Sequence, residues 1–363
     1  MNSKKSLVSS NSSGLQHNLI FALFILLLVG VGYSVKSYPT LAAWFGFFVA
    51  GYSAIANDSI QTIGTFIASN KQRPWWQLWV YLSLIFMATV SYSWVMYNGD
   101  VSHQRLIAKG FENAPESFNF LQVSAPIVLL VLTKARMPVS TTLLLLSAFA
   151  GSSKAISKVL FKSLSGYFVA FICGFIIFFA VARVCKKHFK GTPSIQWVLA
   201  QWVASGLLWS VWLQQDLANI AVFLPRSLSG GEFALFSGFI VLGMALLLFF
   251  KGGGIQVIVT QKSFVTDPRF VTIIDAVYAL ILYYFKIRSK MPMSTTWVFL
   301  GLLAGREFAM SVRGASNKSF FTVSKITVSD ASKALLGLGI SIYLATAINA
   351  RIDIRSILRF FMA

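Results

Sequence analysis

Acid is scarce in this sequence. Its 363 residues hold 11 Asp and Glu against 31 Lys and Arg, a formal net charge of +20. Charge of either sign is scarce too, at 12% of residues, where soluble domains carry roughly a quarter. That shortage excludes an ordinary soluble chain. There are only two cysteines, Cys173 within an apolar run and Cys185 at its basic end, so neither a disulfide framework nor a cysteine metal cluster is present. The three histidines, His17, His103 and His188, are far apart, which excludes a histidine-based metal site. No nucleophile stands beside a general base, so nothing supports an enzyme. No soluble basic domain exists to bind nucleic acid. The basic residues fall mostly between apolar runs, where Lys and Arg set orientation and meet anionic lipid.

What the sequence has is apolar length. Hydrophobic residues make up 56% of it, in runs long enough to cross a bilayer. The expected fold is an all-α polytopic membrane protein with about 10–12 transmembrane segments, broken or half helices among them, in two inverted repeats. Residues 1–16 read as a disordered polar tail and 17–40 as a first transmembrane helix. Residues 41–151 form the first transmembrane repeat. A linking basic helix and a span follow at 152–196, with Lys154, Lys158 and Lys162 on one stripe and a dense basic cluster at 183–190. That cluster is the expected cytoplasmic face. The second repeat covers 197–305. Residues 306–363 read as a basic connection, a last span and a tail.

The repeats rest on two phrases that each occur twice. Arg136-Met137-Pro138-Val139-Ser140-Thr141-Thr142 returns as Lys290-Met291-Pro292-Met293-Ser294-Thr295-Thr296. Upstream of each lies an Asp/Asn phrase, Ala56-Asn57-Asp58-Ser59-Ile60-Gln61 and Gln214-Gln215-Asp216-Leu217-Ala218-Asn219. Pro138 and Pro292 suit a first helical position, so each is expected to start a half helix inside the membrane. Such an N-terminus offers unpaired N–H groups and partial positive charge. Ser140, Thr141, Thr142, Ser294, Thr295 and Thr296 add hydroxyls, giving a cup for a small oxyanion. Membrane-embedded carboxylates are costly and point to function. Asp58 and Asp216, with Asn57, Gln61, Gln215 and Asn219 as neutral oxygen donors, suit Na⁺ or protons. Asp275, within an apolar run, reads equally as a proton site or as a satisfied carboxylate. Gly252–Gly254 read as a turn.

At these four phrases the chain resembles the inorganic phosphate transporter family, PiT. Both Pro-x-Ser-Thr-Thr phrases match fully, at 138–142 and 292–296. Gln61 and Gln215 stand where the family has Asn, and Leu143 and Trp297 where a His often follows. The resemblance implies a secondary transporter of inorganic phosphate with Na⁺ or H⁺ as coupling ion and no other cofactor. It places the aspartates near the cations and the hydroxyls near phosphate. The alternatives are a symporter for another oxyanion such as sulfate, and a non-transporting membrane sensor that kept the fold. The expected setting is the inner or plasma membrane. The expected partners are the lipid bilayer and inorganic phosphate or a similar oxyanion, with a homodimer as an option and no nucleic acid.

Overall fold

The computed structural model describes residues 2–108, 110–135, 137, 139–250, 267–288, 294–316, 318–349 and 351–362. Every regular element among the described residues is a helix. Seven of these helices are long and apolar enough to cross a membrane. The chain is an all-α, multi-pass membrane protein.

The first half opens with α1 (Asn2–Val35) and α2 (Pro39–Ala54), which runs through one π-helical turn, Ile55–Ser59, into α3 (Ile60–Ser69). Then come α4 (Trp75–Met96), the short α5 (Arg105–Ala108), α6 (Phe120–Lys134), the half-length α7 (Thr141–Ser147) and α8 (Ser153–His188). The second half has α9 (Ile195–Ala221), α10 (Gly230–Phe249) and α11 (Pro268–Leu282), which ends in a π-helical turn, Tyr283–Arg288. It closes with α12 (Thr295–Val312), α13 (Phe320–Ile348) and the short α14 (Ile354–Met362). Side-chain caps set several of these starts. Asn119 with Gln122 opens α6, and Ser229 with Glu232 opens α10, each as a reciprocal box; such boxes satisfy N–H groups that the helix itself leaves unpaired.

α8 serves as a ruler. Its 36 residues span about 54 Å at the usual rise, enough to cross a bilayer and emerge at both ends. Lys154, Lys158 and Lys162 mark its starting face and Arg183 to Lys190 its finishing face. Gln122 Nε2, early in α6, donates to the Ala148 carbonyl just after α7 at 3.3 Å. So α6 and α7 form a hairpin that enters and leaves at the starting face. The other hairpin does the reverse. Arg269, at the beginning of α11, donates to the Lys190 and Gly191 carbonyls at 3.2 and 3.0 Å. α12 lies along α8 in the same direction and leaves at the finishing face, where Arg313 Nε donates to the Phe179 carbonyl at 3.1 Å.

The helices that carry the aspartates also run in opposite directions. The α1–α2 corner lies at the starting face, where Tyr33 meets Phe120 at 5.8 Å. α3 finishes beside the beginning of α9, where Asn70 Nδ2 donates to Gln201 Oε1 at 3.2 Å. α9 starts at the finishing face, with Trp197 against Phe189 at 5.4 Å. It ends near the starting-face loop, where Arg226 Nε donates to the Phe111 carbonyl at 2.9 Å.

Close backbone approach holds α12 to α8. A side chain at Gly301 would overlap the Tyr167 carbonyl oxygen, and one at Gly305 that of Phe171. Two glycines four apart on one face let helix backbones meet where no hydrophobic effect drives them together.

Four expectations change. Residues 2–16, expected as a disordered tail, continue α1 in the structure; once a helix is nucleated, each added residue gains a bond. The stretch carrying Asp58, where a broken helix would fall, does not break: Ile55–Ser59 form a π turn that leads into α3, which keeps the backbone hydrogen-bonded while shifting its register. Lys154, Lys158 and Lys162 belong to the same helix as the span after them. Residues 306–333, expected as a connection, are mostly helix: α12 continues to Val312 and α13 begins at Phe320 under a Ser319 cap. Pro138, Pro292, Arg136, Lys290 and the glycines at 252–254 lie outside the described residues.

Candidate functional site

The four phrases come together in the interior. The π turn presents Asp58, α7 presents Thr141 and Thr142, α9 presents Asp216 and Asn219, and α12 presents Thr295 and Thr296. All of these side chains are buried. Thr141 Oγ1 donates to Asp58 Oδ2 through a short bond. Asn57 Nδ2 donates to Asp58 Oδ1 at 2.9 Å and to the Val139 carbonyl at 3.0 Å. In the second half Thr295 Oγ1 donates to Asp216 Oδ2 at 2.5 Å, and Asn219 Nδ2 to Asp216 Oδ1 at 3.2 Å. Each aspartate thus accepts from a hydroxyl and an amide of its own half.

The halves are also tied to each other. Asn219 Nδ2 donates to the Thr141 and Thr142 hydroxyls, both at 3.0 Å. Thr296 Oγ1 reaches the Val139 carbonyl at 3.4 Å. The result is an unbroken chain, Asp58–Thr141–Asn219–Asp216–Thr295. A buried carboxylate is costly unless its oxygens accept hydrogen bonds, and the threonine hydroxyls and asparagine amides supply them here. Two carboxylates in one buried network suit a cation or a proton.

The two serines do something else. Ser140 Oγ accepts from the Leu143 N–H at 3.2 Å, and Ser294 Oγ from the Trp297 N–H at 3.4 Å. Both are N-caps. An anion at these helix starts would therefore meet the remaining N–H groups and the threonine hydroxyls before the serine oxygens. Gln215 is buried beside Asp216, and neither its amide nitrogen nor its oxygen has a partner. Buried amides are nearly always hydrogen-bonded, so this side chain offers both an oxygen and an N–H at the site. The Gln61 side chain lies outside the described residues.

A second polar knot lies alongside. Asp275, on α11, accepts from Thr65 Oγ1 of α3 at 2.9 Å and Ser205 Oγ of α9 at 2.6 Å. Tyr278, one turn on, donates to the Thr295 carbonyl at 2.9 Å. Both Asp275 oxygens are thus engaged, as the satisfied-carboxylate reading expects.

The sequence reading missed Arg105. It opens the short α5 between α4 and α6, is buried, and stands close enough to Asp216 for that carboxylate to act on it. Burial lowers its pKa from the ordinary value and Asp216 opposes the shift. Nothing in the local sequence marks it, because only the folded loop brings it to the site. Among the described residues no group of three His, Cys, Asp or Glu is placed to hold a metal ion.

Comparison with family models, curated proteins and solved structures finds no match to this chain.

Proposed function

We propose that this protein is a secondary transporter that moves a small oxyanion, inorganic phosphate first among them, with Na⁺ or H⁺ as coupling ion. The observation that carries the reading is the unbroken hydrogen-bond chain from Asp58 to Asp216 and Thr295 through Thr141 and Asn219. It joins all four repeated phrases at one buried place, which is how transporters with paired halves build a midplane site. The opposed directions of the two hairpins and of the two aspartate helices support the inverted-repeat reading. In such a design the halves rock about a fixed site and expose it to each face in turn.

In this reading Asp58 and Asp216 carry the coupling cation or proton. The unpaired Gln215 amide supplies an oxygen donor beside it, and Asn57 and Asn219 orient the carboxylates. The hydroxyls of Thr141, Thr142, Thr295 and Thr296, with the helix N–H groups, take the anion. Cation binding comes first, because the two carboxylates repel an anion until a positive charge joins them. The threonine hydroxyls that now face the aspartates must turn towards the anion when the cation takes their place.

Uptake of radiolabelled phosphate into proteoliposomes tests this, with and without a Na⁺ gradient or a pH gradient. Sulfate added as competitor separates phosphate from the other oxyanions: a phosphate site keeps its uptake at equal sulfate, and a general oxyanion site loses about half.

A further inference from the structure

A cavity of about 460 Å³ opens beside the site at the starting face of α8. Among the described residues its wall holds four cations, Arg105, Lys154, Lys158 and Lys162, and no carboxylate. Thr142 forms part of its lining, and the Thr142 hydroxyl accepts from Asn219 at 3.0 Å. The cavity is therefore one hydrogen bond from the Asp58–Asp216 network. Its charge is graded in depth. Lys154 and Lys158 are exposed, Lys162 is half-buried, and Arg105 is buried with Thr142. The three lysines fall four apart on one face of α8. Like charges at that spacing destabilise a helix, so the stripe gains most when something negative sits against it.

Arg105 is held where it is. His103 and Gln104 just before it both have left-handed backbone, at φ 52° and 58°. Such conformations persist only where the surroundings over-determine them, and they cluster at functional sites. Here the Asp100 carboxylate accepts from the Ser102 N–H at 2.7 Å and the Gln104 N–H at 2.6 Å, and Ser93 Oγ accepts from the His103 N–H at 3.0 Å. From the other side, Arg226 donates to the Phe111 and Asn113 carbonyls, both at 2.9 Å. A loop so clamped fixes the backbone from which Arg105 projects, and a guanidinium's planar fork matches an oxyanion in two contacts at once.

From this charge gradient and the clamped Arg105 we propose that the cavity is an anion-collecting vestibule. It would bind a phosphate-type oxyanion, with Arg105 as the inner ligand, before the ion reaches Thr142. This rests on the transport reading for what happens beyond Thr142, but the vestibule itself is a binding site that can be tested alone. A concave surface of one sign focuses the field and raises the local concentration of counter-ions. The vestibule lies at the membrane face opposite the 183–190 cluster, so if that cluster is cytoplasmic the cavity faces outward. Free phosphate and the phosphate of an anionic lipid headgroup share this chemistry, and a transport vestibule takes the free ion.

The test is thiol labelling of the purified full-length chain in neutral detergent. Cys173 and Cys185 are replaced, and Ala108, an exposed lining residue, is changed to Cys. Anionic and cationic methanethiosulfonates of similar size are compared at low ionic strength. The anionic reagent should react roughly tenfold faster. Lys158→Gln and Arg105→Gln should each shrink that ratio, and Arg105→Lys should keep most of it. Lys158 is exposed, so its variant reads the potential even if Arg105→Gln folds poorly. Millimolar phosphate should slow labelling more than potassium chloride of equal ionic strength, which acts by screening alone. Equal rates for the two reagents, or no protection by phosphate beyond that of the chloride control, would overturn the vestibule. So would protection by phosphatidylglycerol micelles with none from free phosphate. Labelling does not depend on transport: a chain that passes this test yet takes up no phosphate refutes the transport reading alone, and the converse refutes the vestibule alone.

Discussion

Asn219, the third residue from the end of α9, donates its side-chain amide to the Thr141 hydroxyl of α7 at 3.0 Å. That bond crosses from the second half of the chain to the first. It makes Thr141 and Thr295 members of one network although they are far apart in sequence, because Asn219 and Thr295 both donate to Asp216.

Changes at the two threonines should therefore interact. Thr141→Val and Thr295→Val each remove a hydroxyl bonded to a buried carboxylate, an effect of about 1.5–3 kcal/mol, or about ten- to a hundred-fold in affinity. Members of one hydrogen-bond network give non-additive cycles. Phosphate titrations of both singles and the double should show a deviation from additivity greater than about 0.5 kcal/mol. Strict additivity would mean that the two hydroxyls serve separate ligands.

The α8–α12 contact should tolerate no side chain at its glycines. Gly305→Val would drive a branched side chain into the Phe171 carbonyl. Backbone cannot give way as a flexible side chain can, so the cost should be about 1–3 kcal/mol, read as a lower melting temperature in detergent. Gly339→Ala on α13 is the control, since a Cβ there meets nothing within 4 Å. Its melting temperature should be unchanged or slightly higher.

His103 gives the loop over the cavity a pH dependence of known sign. Burial, partly offset by Asp100, pushes its imidazole down to about 4 from 6.5. The unfolded chain takes up this proton near pH 6.5 and the folded chain only near 4. Between those values the unfolded state binds more protons, so stability falls as pH is lowered and levels off below about 4. Asn also accepts left-handed backbone, so His103→Asn should keep the loop and lose this component. Melting temperatures at pH 7 and pH 4.5 check it, and an equal drop in both proteins would assign the acid sensitivity to other groups.

The ends of α8 should lie on opposite sides of the membrane. In a chain without Cys173 and Cys185, Lys154→Cys should react with an impermeant thiol reagent from one side only, and Lys187→Cys only from the other. The basic cluster predicts that Lys187 is the inside position. Labelling of both from one side would remove the ruler on which the two hairpin directions rest.

Much of this architecture was legible as sequence because it is written in repeats and apolar runs. α4 and α6 are continuous apolar stretches that hydropathy alone marks, with tryptophans at the start of α4. The meeting of the four phrases followed from their duplication, not from any local signal. What stayed hidden depends on contacts between distant segments. Arg105 sits in a polar loop that resembles any other until Asp100, Ser93 and Arg226 fold it against the site. The N-terminal half of α13 carries Lys325, Asp330 and Lys333, and that polarity masks a helix stabilised by its length and its packing. The division of labour between serines and threonines was also hidden. Both are hydroxyls in sequence, and only the backbone geometry makes Ser140 and Ser294 caps and leaves the threonines to face the aspartates.

The most direct measurement is ion-driven uptake of radiolabelled phosphate in proteoliposomes holding the intact chain, Asp58→Asn, Asp216→Asn or Asp275→Asn. Each Asn variant keeps the shape and removes one charge. The intact chain and Asp275→Asn should take up phosphate in proportion to the Na⁺ or proton gradient, because both Asp275 oxygens are already engaged by Thr65 and Ser205. Asp58→Asn and Asp216→Asn should lose the gradient dependence while remaining folded. Gradient-driven uptake that survives in either of those two variants, or no uptake by the intact chain under any gradient, would contradict the account.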